Sequence, residues 1–280
     1  MVVATRNRRA ELERSLGRHE CPVVLVDNAS TDGTADVVRS GFPGVEIIRL
    51  PRNRGAAARN VGVAAASTPY VAFADDDSWW ALGALDRAAE VFDAHPRLAI
   101  LAGRVLVGPT GRLDPVSAVM ADSPLGTDPD LPGPSVLGFL ACGAIVRRDA
   151  FLACGGFDDI VFFFGEEERV ALDLAAAGRG LAYVADVVAH HHPSGPRDPR
   201  GRQVLAERNG LLTALLRRPW PVVAQATVGA VRGGPVSRRA LGEALLRTPR
   251  ALLHRRVVPP QVEAARQLLE AVPQEVPVRD

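Results

Sequence analysis

Two acidic clusters and a histidine run are the groups in this chain best equipped for chemistry. Asp75-Asp76-Asp77 follows the apolar run Tyr70 to Ala74 and precedes Trp79-Trp80. Three adjacent carboxylates repel one another, and a divalent cation with oxygen ligands is the usual offset. A solvated acidic turn capping the next helix would use the same residues. Asp75 and Asp77 alternate along the chain and so point the same way. Glu166-Glu167-Glu168 opens a helical pattern containing Val170, Leu172 and Leu174, directly after Phe162-Phe163-Phe164. Acids there offset the helix dipole, yet a carboxylate beside aromatic rings is partly desolvated, which raises its pKa toward the range of a general base. His190-His191-His192 ends the apolar run Leu181 to Ala189, far from both termini, where one imidazole can turn inward as a metal ligand.

A second group suits a nucleotide. In Val23 to Thr34, VVLVDNASTDGT, an apolar run ends in Asp27-Asn28, and Ser30 or Thr31 can cap the helix that follows. Asp27 at that edge can accept hydrogen bonds from a base N–H or ribose hydroxyls, or merely bond nearby backbone in a turn. Asn53-Arg54-Gly55, with Arg59 and Asn60, begins another helical pattern, where backbone N–H groups and an Arg fork suit a diphosphate. The signatures G-x-G-x-x-G, G-x-S-x-G and H-E-x-x-H are absent.

The elements that must hold these residues alternate. Apolar runs at Val2 to Thr5, Val23 to Val26, Val45 to Leu50 and Tyr70 to Ala74 are separated by helical patterns at Arg8 to Leu16, Thr31 to Arg39 and Ala56 to Ala66, with another at Leu82 to Phe92. That order predicts a parallel α/β sheet with ligands beyond the carboxyl ends of its strands. Six prolines between 108 and 135 predict an irregular loop, of the kind that forms lids or binding loops. A strand-like run Gly138 to Val146, a helix beginning near Gly165 and a strand Leu181 to Ala189 complete the α/β portion. After Pro199 the pattern is helical, as in Val204 to Arg217 and Ser237 to Arg256, and residues 201–256 carry 11 Arg against 2 acids.

Composition removes several function classes. All 33 basic residues are Arg, so there is no lysine for a P-loop, a pyridoxal phosphate Schiff base or a protein kinase. The 32 acids leave a formal net charge of +1, which argues against a general nucleic-acid binder. Cys21, Cys142 and Cys154 have neither disulfide-framework nor zinc-ribbon spacing, making a reducing cytoplasm the default. The first residues lack the order of a signal peptide, and the apolar stretch Pro221 to Val231 is shorter than the ~20 residues that span a bilayer. A soluble, cytoplasmic protein is expected, whose Arg-rich helices would meet the anionic inner face of the membrane peripherally.

Taken in order, VVATRN, VVLVDNASTDGT, NRGAAARNVG, VAFADDD, CGAIVRRDAF, GGFDD, GEEE and HHH resemble the family 2 glycosyltransferases over about Val2 to Ser194. The resemblance implies a GT-A fold: an α/β domain with a mixed, mostly parallel sheet flanked by helices. It divides the chain into a glycosyltransferase domain at 1–200, with a nucleotide-sugar half at 1–107 and an acceptor and catalytic half at 108–200, followed by a basic helical extension at 201–280. It places Asp27 on the nucleotide base with Thr5 in the same pocket, Arg59 near the diphosphate, and Asn7, Asn28, Asn53, Asp76 and Gly143 in the donor-binding set. Asp75 would touch ribose and, with Asp77 and His191, bind Mg²⁺ or Mn²⁺; His190 and His192 lie one register away. Glu166 and Glu167 stand where the family has Glu-Asp, one methylene longer at the second acid, with Glu167 as base and Glu166 as its alternative. The implied reaction is inverting transfer from a nucleoside-diphosphate sugar to a glycan, lipid-linked or small-molecule acceptor, without nucleic acid. Two other readings are a nucleotidyltransferase on sugar phosphates, for which TRNRRAEL lacks the Gly-rich loop, and a non-catalytic sugar-nucleotide-binding protein.

Overall fold

A computed structural model describes residues 1–194 and 198–271. Within them one mixed sheet contains β1 (Val2–Thr5), β2 (Val24–Asp27), β3 (Glu46–Arg49), β4 (Tyr70–Ala74), β5 (Ser78–Trp80), β6 (Leu98–Val107), β7 (Arg112–Leu113), β8 (Ala144–Arg147) and β9 (Gly180–His191). Eight strands run in the order β3-β2-β1-β4-β8-β6-β9-β5, and β7 pairs with β6 beside that row. The β3-β2-β1-β4 part is parallel, with helices Arg9–Ser15, Thr34–Gly41 and Ala58–Ala65 as its crossovers. Its strands are short and covered on both faces, so Val2, Val3, Leu25 and Val26 are all fully buried.

Past β4 the pairing changes. β8 lies antiparallel between β4 and β6, β9 runs parallel to β6, and β5 returns antiparallel along β9. Here the structure corrects three expectations. Residues 108–135 are not one irregular loop: they hold β7 and helix Pro115–Ala121, capped by Asp114, whose side chain accepts from the Val116 N–H. Proline at the first helical position costs no hydrogen bond, so Pro115 starts a helix where a loop was expected. The run Gly138 to Val146 is extended only at its end, because a 3-10 turn at Ala141–Gly143 precedes β8. Ser237 to Arg256 is two helices, Pro235–Leu245 and Thr248–Leu253, since Pro249 cannot donate in a helix interior and fits only the first turn of the second.

The C-terminal helices Pro199–Arg217, Trp220–Arg232, Pro235–Leu245, Thr248–Leu253 and Pro260–Ala271 pack back onto the sheet domain. Leu212, Leu215, Leu216, Ala244 and Ala251 enclose Ile160 and Val161 in one apolar cluster. Asp173 receives Arg169 from its own helix at 2.5 Å and Arg217 from the C-terminal region. The segment leading to Glu166 is therefore held from the C-terminal side.

Candidate active site

The Asp75-Asp76-Asp77 turn sits at the carboxyl end of β4, where Ser78 Oγ accepts from the Asp75 N–H and fixes the bend into β5. Pairing of β5 with β9 sets Ser78 opposite His191 and Trp79 opposite His190. Alternation then sends His190 and His192 to the Trp79 ring, at centroid distances of 5.6 and 4.6 Å, and His191 to the other face. His191 Nε2 lies 3.2 Å from Asp77 Oδ1. Asp75, Cys142 and His191 offer ligand atoms within 4.8 Å of one another. Carboxylate oxygens with an imidazole fit a divalent cation. Cys142 is the addition that motif reading missed, and burial keeps its thiol pKa well above the usual value.

Glu166 and Glu167 begin helix Glu167–Ala176, and Arg59 connects them to the acid turn. Buried at 5% exposure, Arg59 gives one Nη to Asp75 at 2.5 Å and holds the other 3.8 Å from Glu166. Glu166 Oε2 is buried without a hydrogen bond. Burial first, then the neighbouring Glu167 charge, raises the Glu166 pKa against the pull of Arg59. Glu167 keeps some exposure, yet burial raises its carboxyl too, while the Ala141 N–H and Arg59 act in the opposite sense. A raised carboxylate beside an open volume is the physical requirement for a general base.

On the nucleotide side, Asp27 is fully buried at the end of β2; Oδ1 accepts from the Ser30 N–H at 2.9 Å and Oδ2 faces Arg49 at 3.4 Å. Asn28 bridges backbone, accepting from Arg54 N–H at 2.7 Å and donating to Gly55 O at 3.0 Å. Asn53 accepts from the Gly55 N–H, and Gly55, at φ +57°, must be glycine because a Cβ there would meet Phe162 O at 2.2 Å. Asn7, at φ +54°, accepts from the Thr31 N–H and ties the β1 edge to the Asp27 loop. Thr5 donates to Asp76 at 3.0 Å. Gly143 sits in the turn before β8, where a Cβ would strike Val105 Cγ2 at 2.4 Å, so its identity answers to packing. The structure thus brings Thr5, Asp75, Asp76, Asp77, Arg59, His191, Glu166 and Glu167 into one connected network, while Asn28 and Asn53 shape its loops.

Two further contributors carry no motif. Arg8 binds Asp76 at 3.1 Å, Asp77 at 3.0 Å and Ser194 Oγ at 2.9 Å, closing the acid turn from the β1 side. Asn209, fully buried in helix Pro199–Arg217, donates to the carbonyls of Phe163 and Phe164 at 2.6 Å each. Phe162 and Phe164 have φ of +74° and +72°, a strained conformation for bulky residues that outside contacts must hold.

Residues 1–154, more than half of the chain, match the family model described as glycosyl transferase family 2, and the chain belongs to that family. A pre-mycofactocin glycosyltransferase of Mycobacterium tuberculosis is 32% identical over 211 residues, covering 71% of this chain and 43% of that protein. An N-acetylglucosaminyl-diphospho-decaprenol L-rhamnosyltransferase of the same organism is 28% identical over 212 residues, 63% of this chain and 69% of that protein. The chain therefore spans less than half the length of the first relative. Among solved structures, the mannosyltransferase PcManGT from Pyrobaculum calidifontis, determined with GDP-Man and Mn²⁺, superposes with a TM-score of 0.58 at 22% identity, over 98% of this chain and 76% of that one. The S. aureus TarS 1–349 fragment with UDP-GlcNAc gives 0.59 at 18% identity, over 94% and 82%. These likenesses show the fold, which is the GT-A arrangement the motifs imply.

Proposed function

We propose that this protein transfers a sugar from a nucleoside-diphosphate sugar to an acceptor hydroxyl with inversion at the anomeric carbon. The observation that carries this reading is the continuous path from the Asp75 to Asp77 turn through Arg59 to the paired carboxyls of Glu166 and Glu167. Asp27 and Thr5 would take the base and ribose end of the donor. Asp75, Asp77 and His191 would hold Mg²⁺ or Mn²⁺, which when bound supplies positive charge to the diphosphate leaving group. Arg59 holds Asp75 in orientation and keeps one charge beside the acid pair. Glu167 accepts the acceptor proton, and the freed oxygen attacks the sugar carbon opposite the departing diphosphate. Glu166, buried deeper, faces Arg59 at 3.8 Å and is the alternative base.

Residues 1–200 would form the transferase unit, and 201–280 a basic extension; the last nine residues of that span lie outside the described ones. Among the described residues no helix is long and apolar enough to cross a membrane. Peripheral contact with an anionic bilayer is favoured by exposed Arg232, Arg238, Arg239, Arg250 and Arg256 beside exposed Leu245, Leu246, Leu252 and Leu253.

The test is a thermal-shift screen of sugar nucleotides with Mn²⁺, followed by turnover of Glu167→Gln with the donor that shifts most. Retained donor binding with turnover down roughly 10²- to 10⁴-fold is expected. Near-normal turnover would take the base role from Glu167, and pyrophosphate release in place of nucleoside diphosphate would indicate a nucleotidyltransferase.

A further inference from the structure

A cavity of about 400 Å³ is lined by Glu167 and by none of the residues of the acid turn. Val119 and Met120 of helix Pro115–Ala121, Phe139 of the segment before β8, and Leu269 of helix Pro260–Ala271 form apolar walls. Its polar groups are Glu167, Ser123 and the pair Arg266 and Glu168, which are bonded to each other at 2.6 Å. Its size falls among small-molecule sites, roughly 300–1,000 Å³, which join apolar walls to a few placed polar groups. None of Thr5, Asp27, Asp75, Asp76, Asp77 or His191 borders it, so the donor set does not account for it. Leu269 and Arg266 lie beyond the family match at 1–154, so part of this wall comes from the C-terminal helices.

We infer that the cavity receives the acceptor, and that the acceptor is a hydroxyl compound with an apolar alkyl or aryl body of comparable size. The inference rests on the base role proposed for Glu167. The reacting hydroxyl has to come within about 2.6–3.2 Å of that carboxylate, and its remaining atoms then face Val119, Met120, Phe139 and Leu269. Hydroxyls turned toward Val119, Met120, Phe139 and Leu269 would go unpaired, a desolvation loss that an apolar body on that side avoids. In the transfer the acceptor O–H proton passes to Glu167, the new carbon–oxygen bond forms at the anomeric carbon, and the bond to the diphosphate oxygen breaks with its electron pair leaving on the nucleoside diphosphate. Glu167 then returns its proton to solvent.

The test uses the full chain and n-alkyl β-D-glucosides from methyl to octyl, below their micelle concentrations. Calorimetric Kd for the donor-free protein should fall about fourfold per added methylene until the cavity is filled. Val119→Trp, a substitution at a half-buried position, should weaken hexyl glucoside at least tenfold, and Leu269→Glu should do so independently. In both variants the donor-induced thermal shift should stay within experimental scatter of the parent's. A Kd series flat in chain length, or hexyl glucoside binding unchanged in both variants, overturns the inference while leaving glycosyl transfer intact. Absence of any donor shift would instead strike the proposed function, and the calorimetric series would still decide the cavity. Dodecyl glucoside presented in vesicles separates the sources: further tightening there marks a lipid-borne acceptor, and a limit reached in solution marks a free aglycone.

Discussion

Arg59 bonds Asp75 at 2.5 Å and faces Glu166 at 3.8 Å with the same guanidinium, so one buried cation joins the acid turn after β4 to the start of helix Glu167–Ala176. Removing one partner of a buried ion pair leaves uncompensated charge, a loss of about 3–5 kcal/mol. Arg59→Leu should therefore lower unfolding free energy by that order in denaturant titration and abolish turnover. Arg59→Lys should recover stability in part only, because an ammonium cannot fork between two carboxylates. An Arg59→Leu protein within about 1 kcal/mol of the parent would show that the link carries no weight.

Burial, reinforced by the charges of Asp75 and Asp77 and opposed by Arg8, pushes the Asp76 carboxyl up to about 7. Its folded value exceeds its unfolded one, so the folded state retains a proton that the unfolded chain gives up. Stability from this group is then greatest at acid pH and declines as pH rises from about 4 to about 7. Glu166 and Glu167 act in the same sense, and His19, held by burial at about 4, acts in the opposite one. The clean readout is the difference in Tm between Asp76→Asn and the parent in EDTA, which should shift in the variant's favour by at least about 3 °C between pH 5 and pH 8. A difference that does not move with pH would mean that Asp76 does not titrate in this window.

The three histidines separate by face. His191→Ala should weaken Mn²⁺ binding at least roughly tenfold by calorimetry or electron paramagnetic resonance, since even partners behind metal ligands are worth that much. His190→Ala, whose ring stacks on Trp79 away from Asp77, should leave Mn²⁺ affinity within about twofold. Equal losses in both variants would remove the assignment of His191 to the ion.

Leu246 and Leu253 are 85% and 84% exposed, with Arg250 between them in sequence also exposed. Large apolar residues presented with arginines favour an anionic interface, and a Leu246→Glu, Leu253→Glu protein should lose co-sedimentation with phosphatidylglycerol vesicles while keeping its melting temperature. Added salt should weaken the parent's binding as it screens the arginines. A parent that stays in the supernatant at low salt would end the membrane assignment.

Much of the site was legible in the chain because strand-end residues follow directly from apolar runs. Asp27 at the end of β2 and Asp75 to Asp77 after β4 follow from that rule alone, and the parallel β3-β2-β1-β4 part follows from the alternation. β6 went unread because LAILA is an apolar run without period, which suits a buried strand or a buried helix equally. Arg8 and Cys142 were passed over because neither spacing nor neighbours distinguish them; each matters through partners distant in sequence, Asp76 and Asp77 for one, His191 and Asp75 for the other. The arginines of the C-terminal region, by composition, suit an anionic surface, yet Arg208, Arg217 and Arg218 are buried and bonded to Val161 O, Asp173 and Glu263.

The chain by itself determined which carboxylates, amides and arginines stand at strand ends and helix starts, because those positions depend on local periodicity and on backbone groups nearby. Tertiary structure alone decided which of them meet. The β5–β9 register selects His191 from three identical neighbours, since each step along a strand reverses the face. The fold also brings Arg59 between two acid clusters and sets Leu269 across from Val119 beside Glu167, contacts whose energy depends on burial and on partners that no local pattern encodes.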